Sequence, residues 1–319
     1  MLENVVIVSG TSHPDLTEKV AKILGKEYYL PKIYVYGTGC FELTLSCNMR
    51  GKTIFIIQSI VPENVNHLTL ETSFLINAAY KASAAEVNLI VPHLGWDQSD
   101  KKWTGRMPIA GELIAAFFHS AGMQRFVGLQ LHSPQYTGFF PLPVRVDHLV
   151  ADKIFLEYIT NSRLYENAVL FPGDLGFGKK ARDNAAVLGI ESGKVDKERI
   201  SGDEVEIHAI YGNVAGKRAI IWDDKIGKGT TIKAVAEELQ KMGAESLVVV
   251  ATHALLTDKA IENLNHPLIK EIVVTDSLPQ SSAVRQALPL TVLSIDKLLA
   301  SAITEISTVG GSISRLFKD

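Results

Sequence analysis

Eight apolar runs recur along the chain and bound what it can fold into: NVVIVSG (4–10), KTIFIIQSI (52–60), VNLIVPHLG (87–95), RFVGLQLHS (125–133), NAVLFPGD (167–174), RAIIWDD (218–224), SLVVVATHA (246–254) and EIVVTDS (271–277). Each is strand-length and apolar on successive positions, so both faces of the strand are buried, which is the pattern of a parallel sheet covered by helices. Helical patterns such as PDLTEKVAKILG (14–25) and AGELIAAFFHSAG (110–122) lie between them. The fold class is therefore α/β with mainly parallel sheets. At 319 residues the chain is long enough for two domains. The sequence predicts a first domain over 1–148, a second over 149–293 after the Pro-rich FFPLPV, and a C-terminal helix in 294–319 that packs back on the first. The two halves echo each other in motif order without a strong identity repeat.

Charge and cysteine content narrow the function classes. A net charge of −3 and a pI near 6.3 give no basic footprint for nucleic acid or an anionic membrane. Cys40 and Cys47 are too few for a disulfide framework. MLENVVIVSG reads as a strand with no signal-type leader, and no apolar run reaches the ~20 residues that span a bilayer. A cytoplasmic protein is the expectation.

The stretch AIIWDDKIGKGTTIKAV (219–235) carries chemistry. Its apolar run ends at Asp223 and Asp224, and IKAVAEELQKMG (232–243) reads as an amphipathic helix. The loop therefore sits at a strand-to-helix junction. A helix N-terminus offers unpaired N–H groups and the positive end of its dipole, and glycines let a phosphate approach the backbone. Two carboxylates want hydroxyls or a cation instead. The pattern fits a phosphorylated polyol, its phosphate at Gly227, Lys228, Gly229, Thr230 and Thr231, its hydroxyls or a metal ion at Asp223 and Asp224.

Six blocks in one order raise the specificity: RGKTIFIIQS (50–59), RMPIAGELIAAFF (106–118), LQLHSPQYTGFF (129–140), GNVAGKRAIIWDD (212–224), VVVATHALLT (248–257) and VVTDSLP (273–279). Through them the chain resembles the ribose-phosphate diphosphokinases, also called phosphoribosyl pyrophosphate synthetases, over nearly its whole length. The resemblance implies two tandem type I phosphoribosyltransferase-like domains, the first on the ATP side and the second on the ribose-phosphate side. It also implies an active site between them completed by a neighbouring subunit, and a dimer-based homo-oligomer with the hexamer as one form. The implied reaction is Mg2+-dependent transfer of diphosphate from ATP to the anomeric hydroxyl of ribose 5-phosphate, releasing AMP.

Site residues follow from the same resemblance. Lys197 and Arg199 match a Lys and an Arg two residues apart that close over the transferred phosphoryl group. His132 matches a His at the metal and the ATP phosphates, although a His at a strand end can equally be structural. Asp174 matches a Mg2+-binding Asp, and Gly176, Gly178, Lys179, Lys180 and Arg182 after it form a glycine-basic turn that could meet ribose or phosphate. The nucleotide side falls on Tyr36, which can stack on a base, and on Gln98, Ser99, Asp100 and Lys101.

Departures from the family pattern matter too. The family's phosphate loop commonly reads DDMIDTGGT, whereas this chain reads DDKIGKGTT. Gly227 replaces a third acid and Lys228 a threonine, which together with Lys225 makes the loop more cationic. Either the acceptor carries more phosphate than ribose 5-phosphate, as ADP-ribose does, or Lys228 serves the same monoester. An FSDGE-type adenine loop becomes YGTGC (36–40), so Thr38 and Cys40 stand where acids are expected; Trp96 and Trp103 are a base platform or ordinary packing. Two further classes stay open: a non-catalytic regulatory homologue, against which retention of the closing cations argues, and a phosphoribosyltransferase or phosphorylase, against which the absence of a base-binding hood argues.

Overall fold

The computed structural model describes residues 2–174, 176–199 and 205–317, with Arg199, Val205 and Asp258 described by backbone alone. Contacts divide the chain into unit 1 (residues 1–150, 277–279 and 295–319) and unit 2 (151–276 and 280–294). Unit 1 contains β1 (Val5–Ser9), α1 (Pro14–Leu24), β2 (Tyr28–Tyr29), β3 (Lys32–Val35), β4 (Phe41–Thr44), β5 (Thr53–Ile57), α2 (Val65–Lys81), β6 (Glu86–Val91), α3 (Ala110–Ala121), β7 (Arg125–Leu129) and β8 (Arg145–Leu149). Unit 2 contains α4 (Asp152–Asn161), β9 (Ala168–Pro172), α5 (Gly178–Leu188), β10 (Glu191–Ser192), β11 (Lys194–Arg199), β12 (Val205–Tyr211), β13 (Arg218–Ile226), α6 (Thr230–Lys241), β14 (Ser246–Ala254), α7 (Asp258–Leu264), β15 (Ile269–Thr275), α8 (Ser282–Ala287) and β16 (Leu290–Leu293). α9 (Asp296–Ser307) returns to unit 1.

Each unit is built on one parallel six-stranded sheet, in the order β2-β1-β5-β6-β7-β8 in unit 1 and β10-β9-β13-β14-β15-β16 in unit 2. The orders are the same when the strands of each sheet are counted from its own first strand. Each sheet also has an antiparallel ribbon inserted at the same point, β3-β4 in unit 1 and β11-β12 in unit 2. The echo read in the sequence is thus a duplicated topology. All eight apolar runs form strands inside these sheets, because their continuous Val, Ile and Leu bury both faces. In β5 Ile54–Ile57 are all buried, and in β14 Leu247–Ala254 are.

Among the described residues, one buried cluster in unit 1 includes Ile54, Leu75 and Phe118 and one in unit 2 includes Phe171, Leu239 and Val249. In unit 1, α1 begins with Pro14 in its first turn and ends at Gly25 in the left-handed conformation, which Gly adopts without steric cost. The element that differs most from expectation is β13. Its pairing with β14 runs on through Asp223↔Ala251 and Lys225↔His253 to Ile226↔Ala254. The two acids are therefore held in a strand, not in a loop, and the turn proper is only Gly227–Gly229.

Candidate active site

Ligands of open parallel sheets gather at the carboxyl ends of the strands. In unit 2, β9 and β13 are neighbours there. β9 ends at Pro172 and runs into Gly173 and Asp174; the Gly173 amide donates to the Trp222 carbonyl at 2.8 Å, which sets the two strand ends side by side. A side chain on residue 173 would collide with the Asp223 carboxylate, its Cβ lying 2.1 Å from Oδ2. Only glycine lets the acid lie there. Asp174 Oδ1 accepts the Phe177 amide at 2.9 Å, which fixes the turn into α5.

Lys197 comes from the ribbon to the same place. Its ammonium donates to the Gly173 carbonyl, one residue from Asp174. A β-bulge between Asp196 and Lys197 locally shifts the register of the ribbon there. Arg199 closes β11 opposite Val205 by backbone pairing, and its side chain lies outside the described residues.

Electrostatics at the strand ends favour a ligand. Asp224 is 8% exposed, and its amide donates to Asp223 Oδ1 at 2.8 Å. Asp223 is partly buried as a residue, and its carboxyl is ringed by protein. Burial first, then the charges of Asp224 and Asp174, push it well above the usual carboxylate range. A cation or hydroxyl donors arriving at this group would relieve that penalty. Beyond the acids, Gly229 takes a left-handed conformation (φ 72°) as the N-cap of α6, and Thr230 and Thr231 make its first turn. The Asn263 side chain donates to the Lys228 carbonyl at 2.8 Å and holds the turn from α7. Lys180 has another use: it pairs with Asp152 at 2.8 Å.

The predicted nucleotide residues belong to unit 1. Tyr36 sits at the tip of the β3-β4 ribbon, its hydroxyl on Glu42 at 2.7 Å and its ring edge-on to Tyr34 at 4.7 Å. The Glu42 hydrogen bond raises the Tyr36 phenol above its ordinary value. Gln98, Ser99, Asp100 and Lys101 follow β6, where the Ser99 carbonyl accepts the Gly111 amide at the start of α3. The His132 amide donates to Asp97 Oδ2 at 3.1 Å, so His132 and the 98–101 segment are tied together through a buried carboxylate. Trp96 is packing, its indole on Thr69 at 2.8 Å, whereas Trp103 is 70% exposed with the Lys101 ammonium 4.2 Å from its ring centre.

Sequence reasoning missed Gly173, Asp97 and Asn263. Gly173 had a signal, a glycine directly after a buried strand; the other two had none at short range. Among the described residues no cluster of three or more His, Cys, Asp or Glu is arranged to hold a metal ion.

Parallel sheets with an acid pair at one strand end and a glycine-capped helix start beside it define a phosphoribosyltransferase-type fold. A family model described as the N-terminal domain of ribose phosphate pyrophosphokinase matches residues 5–122, and one described as a phosphoribosyl synthetase-associated domain matches 197–318. The chain is 34% identical to the ribose-phosphate pyrophosphokinase of Caldanaerobacter subterraneus subsp. tengcongensis over 98% of its own length and 97% of that relative. It is 33% identical to that of Bacillus subtilis over 99% and 98%. The crystal structure of phosphoribosylpyrophosphate synthetase from Mycobacterium smegmatis superposes with a TM-score of 0.87 at 32% identity, covering 95% of this chain and 99% of that one. The chain belongs to the ribose-phosphate pyrophosphokinase family.

Proposed function

We propose that this chain transfers the terminal diphosphate of ATP to the anomeric hydroxyl of ribose 5-phosphate and releases AMP. The observation that carries the reading is the convergence of Lys197, Asp174, Asp223 and Asp224 at the ends of β9 and β13. The hydroxyl oxygen forms a bond to the β-phosphorus of ATP, the bond from that phosphorus to the bridging oxygen of AMP breaks, and the hydroxyl proton leaves to solvent. Little covalent chemistry falls to the protein, so positioning and charge neutralisation do the work.

Asp223 and Asp224 accept hydrogen bonds from the ribose hydroxyls, and the amides of the Gly227–Thr231 turn, at the positive end of α6, bind the 5-phosphate. Lys197 and Arg199 neutralise charge on the transferred phosphoryl group. Bound Mg2+ would supply charge neutralisation at the phosphate oxygens. The donor set at the turn suits a hard cation, since Asp174 offers carboxylate oxygen and substrate phosphates can complete the shell. Asp174 would hold it. His132 and residues 98–101 are assigned to the ATP phosphates, and Tyr36 to the base.

A second reading, the same chemistry on ADP-ribose, is favoured by the DDKIGKGTT segment, in which Gly227 replaces the family's third acid, Lys228 replaces a threonine and Lys225 adds a further positive charge. One assay separates the readings: Mg-ATP with either ribose 5-phosphate or ADP-ribose, following AMP by chromatography. Acceptor-dependent AMP with ribose 5-phosphate is the expected result. AMP with ADP-ribose alone replaces the acceptor, and AMP with neither overturns the catalytic reading.

A further inference from the structure

The duplicated topology gives the strand-end positions of the proposed acceptor site counterparts in unit 1. Val5 pairs with Thr53 as Ala168 pairs with Arg218, so Gly10 corresponds to Gly173 and Gln58 to Asp223. The correspondence is physical, for a Cβ on Gly10 would meet Gln58 Oε1 at 2.0 Å, as one on Gly173 would meet Asp223. The helices align as well. Thr53 pairs with Glu86 and Arg218 with Ser246; Glu71 lies fifteen residues before the first partner and Thr231 fifteen before the second. Glu71 therefore stands where unit 2 has the last threonine of its phosphate turn.

The chain between the paired positions differs. Thirteen residues separate Gln58 from Glu71, against eight from Asp223 to Thr231, and the surplus extends α2 by more than a turn at its N-terminal end. Glu71 is fully buried in α2 and reaches back to the strand ends. Oε1 accepts the Thr11 amide at 2.9 Å and the Gln58 amide group at 3.0 Å, and Oε2 accepts the Thr11 hydroxyl at 2.6 Å. Ser12 donates to Gln58 Oε1 through its amide at 3.2 Å and its hydroxyl at 2.8 Å, which turns the Gln58 Nε2 toward the carboxylate. His67, 47% exposed, has Nε2 3.8 Å from Oε2. Three donors from two segments thus converge on one carboxylate.

We propose that unit 1 carries a second anion cradle, made by Thr11 and Gln58, which the chain has closed with its own Glu71. The cradle takes a small carboxylate or comparable oxyanion, and its occupant is covalently supplied. Unit 1 is thereby barred from binding an acceptor, and one acceptor site remains per chain. The hydrogen bonds that make the cradle lie within unit 1 and are tested there, whereas its descent from an acceptor site rests on the function proposed for unit 2.

Removing the internal ligand and supplying an external one tests it. Thermal melts of the full chain, wild type and Glu71→Ala, are compared in acetate, in the neutral isostere acetamide and in chloride, with ionic strength fixed. In chloride, Glu71→Ala is expected to melt about 5 °C or more below wild type, because three donors lose a charged acceptor. Acetate at about 100 mM then recovers at least about half of that loss, as a ligand that binds only the folded state does. Acetamide recovers none, and wild type does not respond. A variant melting with wild type, a destabilised variant that acetate does not rescue or that acetamide rescues equally, or acetate raising both proteins equally, overturns the proposal. Where Glu71→Ala does not fold, Glu71→Gln keeps the shape without the charge: it is expected to melt below wild type and to ignore acetate, and a melting point at or above wild type overturns the assignment.

Discussion

At the scale of single residues, the acid pair near the carboxyl end of β13 carries an electrostatic cost that the proposed ligand would relieve. Asp223 is held above the usual carboxylate range by burial and by its acidic neighbours, so the folded chain binds a proton there that the unfolded chain, titrating near ~4, releases. Stability then falls as pH rises above that unfolded value, because the native state binds more protons than the unfolded one. In ligand-free, EDTA-treated protein, Asp223→Asn should out-melt wild type by a margin that widens from pH 5 to pH 8, reaching about 3 °C or more. A margin independent of pH would show that the carboxyl ionises without strain. Lys197 is the complementary case, a cation on the Gly173 carbonyl. Lys197→Ala should lower kcat at least ~100-fold with KM within about threefold, as expected of a contact made in the transition state; a comparable rise in KM would make it a ground-state ligand. Asp223 and Asp224 stood out in the sequence because they follow an apolar run two residues before a glycine-rich turn, although the strand itself runs on to Ile226. Glu71 and Asp97 did not, since their partners, Thr11 and His132, lie 60 and 35 residues away.

At the scale of elements, the strands that were legible are the ones buried on both faces, where continuous Val, Ile and Leu leave one reading. Edge strands and ribbons were not. β2 and β10 are two residues long, β8 reads RVDHL with polar residues between apolar ones, and the β3-β4 ribbon is largely exposed. The ribbon bearing Lys197 was reached only through family resemblance. Strand ends that must accommodate a carboxylate leave a sharper trace, a glycine on the neighbouring strand. Gly173→Ala places a methyl group 2.1 Å from Asp223 Oδ2, and the flexible partner in that clash is the acid itself. The carboxylate should swing away rather than the strand unfold. The expected result is kcat/KM for the ribose acceptor at least ~10-fold lower, with KM for ATP unchanged. Steady-state kinetics with each substrate varied in turn check this, and an equal loss on both substrates would place the damage in the sheet instead.

At the scale of the whole molecule, one topology has been used twice for different ends. The counterpart of the acid pair is Gln58 and Ser59, and the counterpart of the Gly227–Thr231 turn is a longer helix whose Glu71 satisfies the strand ends from within. The duplication was visible in the order of motifs. Its divergence was not, because it depends on which side chains fill equivalent space. The chain is also threaded through unit 1 twice, at its start and in α9, which lies against α1. Leu299, Ala300, Ala302 and Ile303 of α9 and Leu16, Val20 and Ala21 of α1 are buried. Ile303 is fully buried, so truncating it leaves a cavity in the part of unit 1 assembled from sequence-distant segments. Ile303→Ala should cost about 2–5 kcal/mol. Denaturant titration should show a lower midpoint at an unchanged slope, since the same surface is exposed on unfolding. Ser301, exposed on the same helix, supplies the control: Ser301→Ala should shift the midpoint by less than about 0.5 kcal/mol. If the two substitutions cost the same, α9 contributes no more to unit 1 than a surface helix.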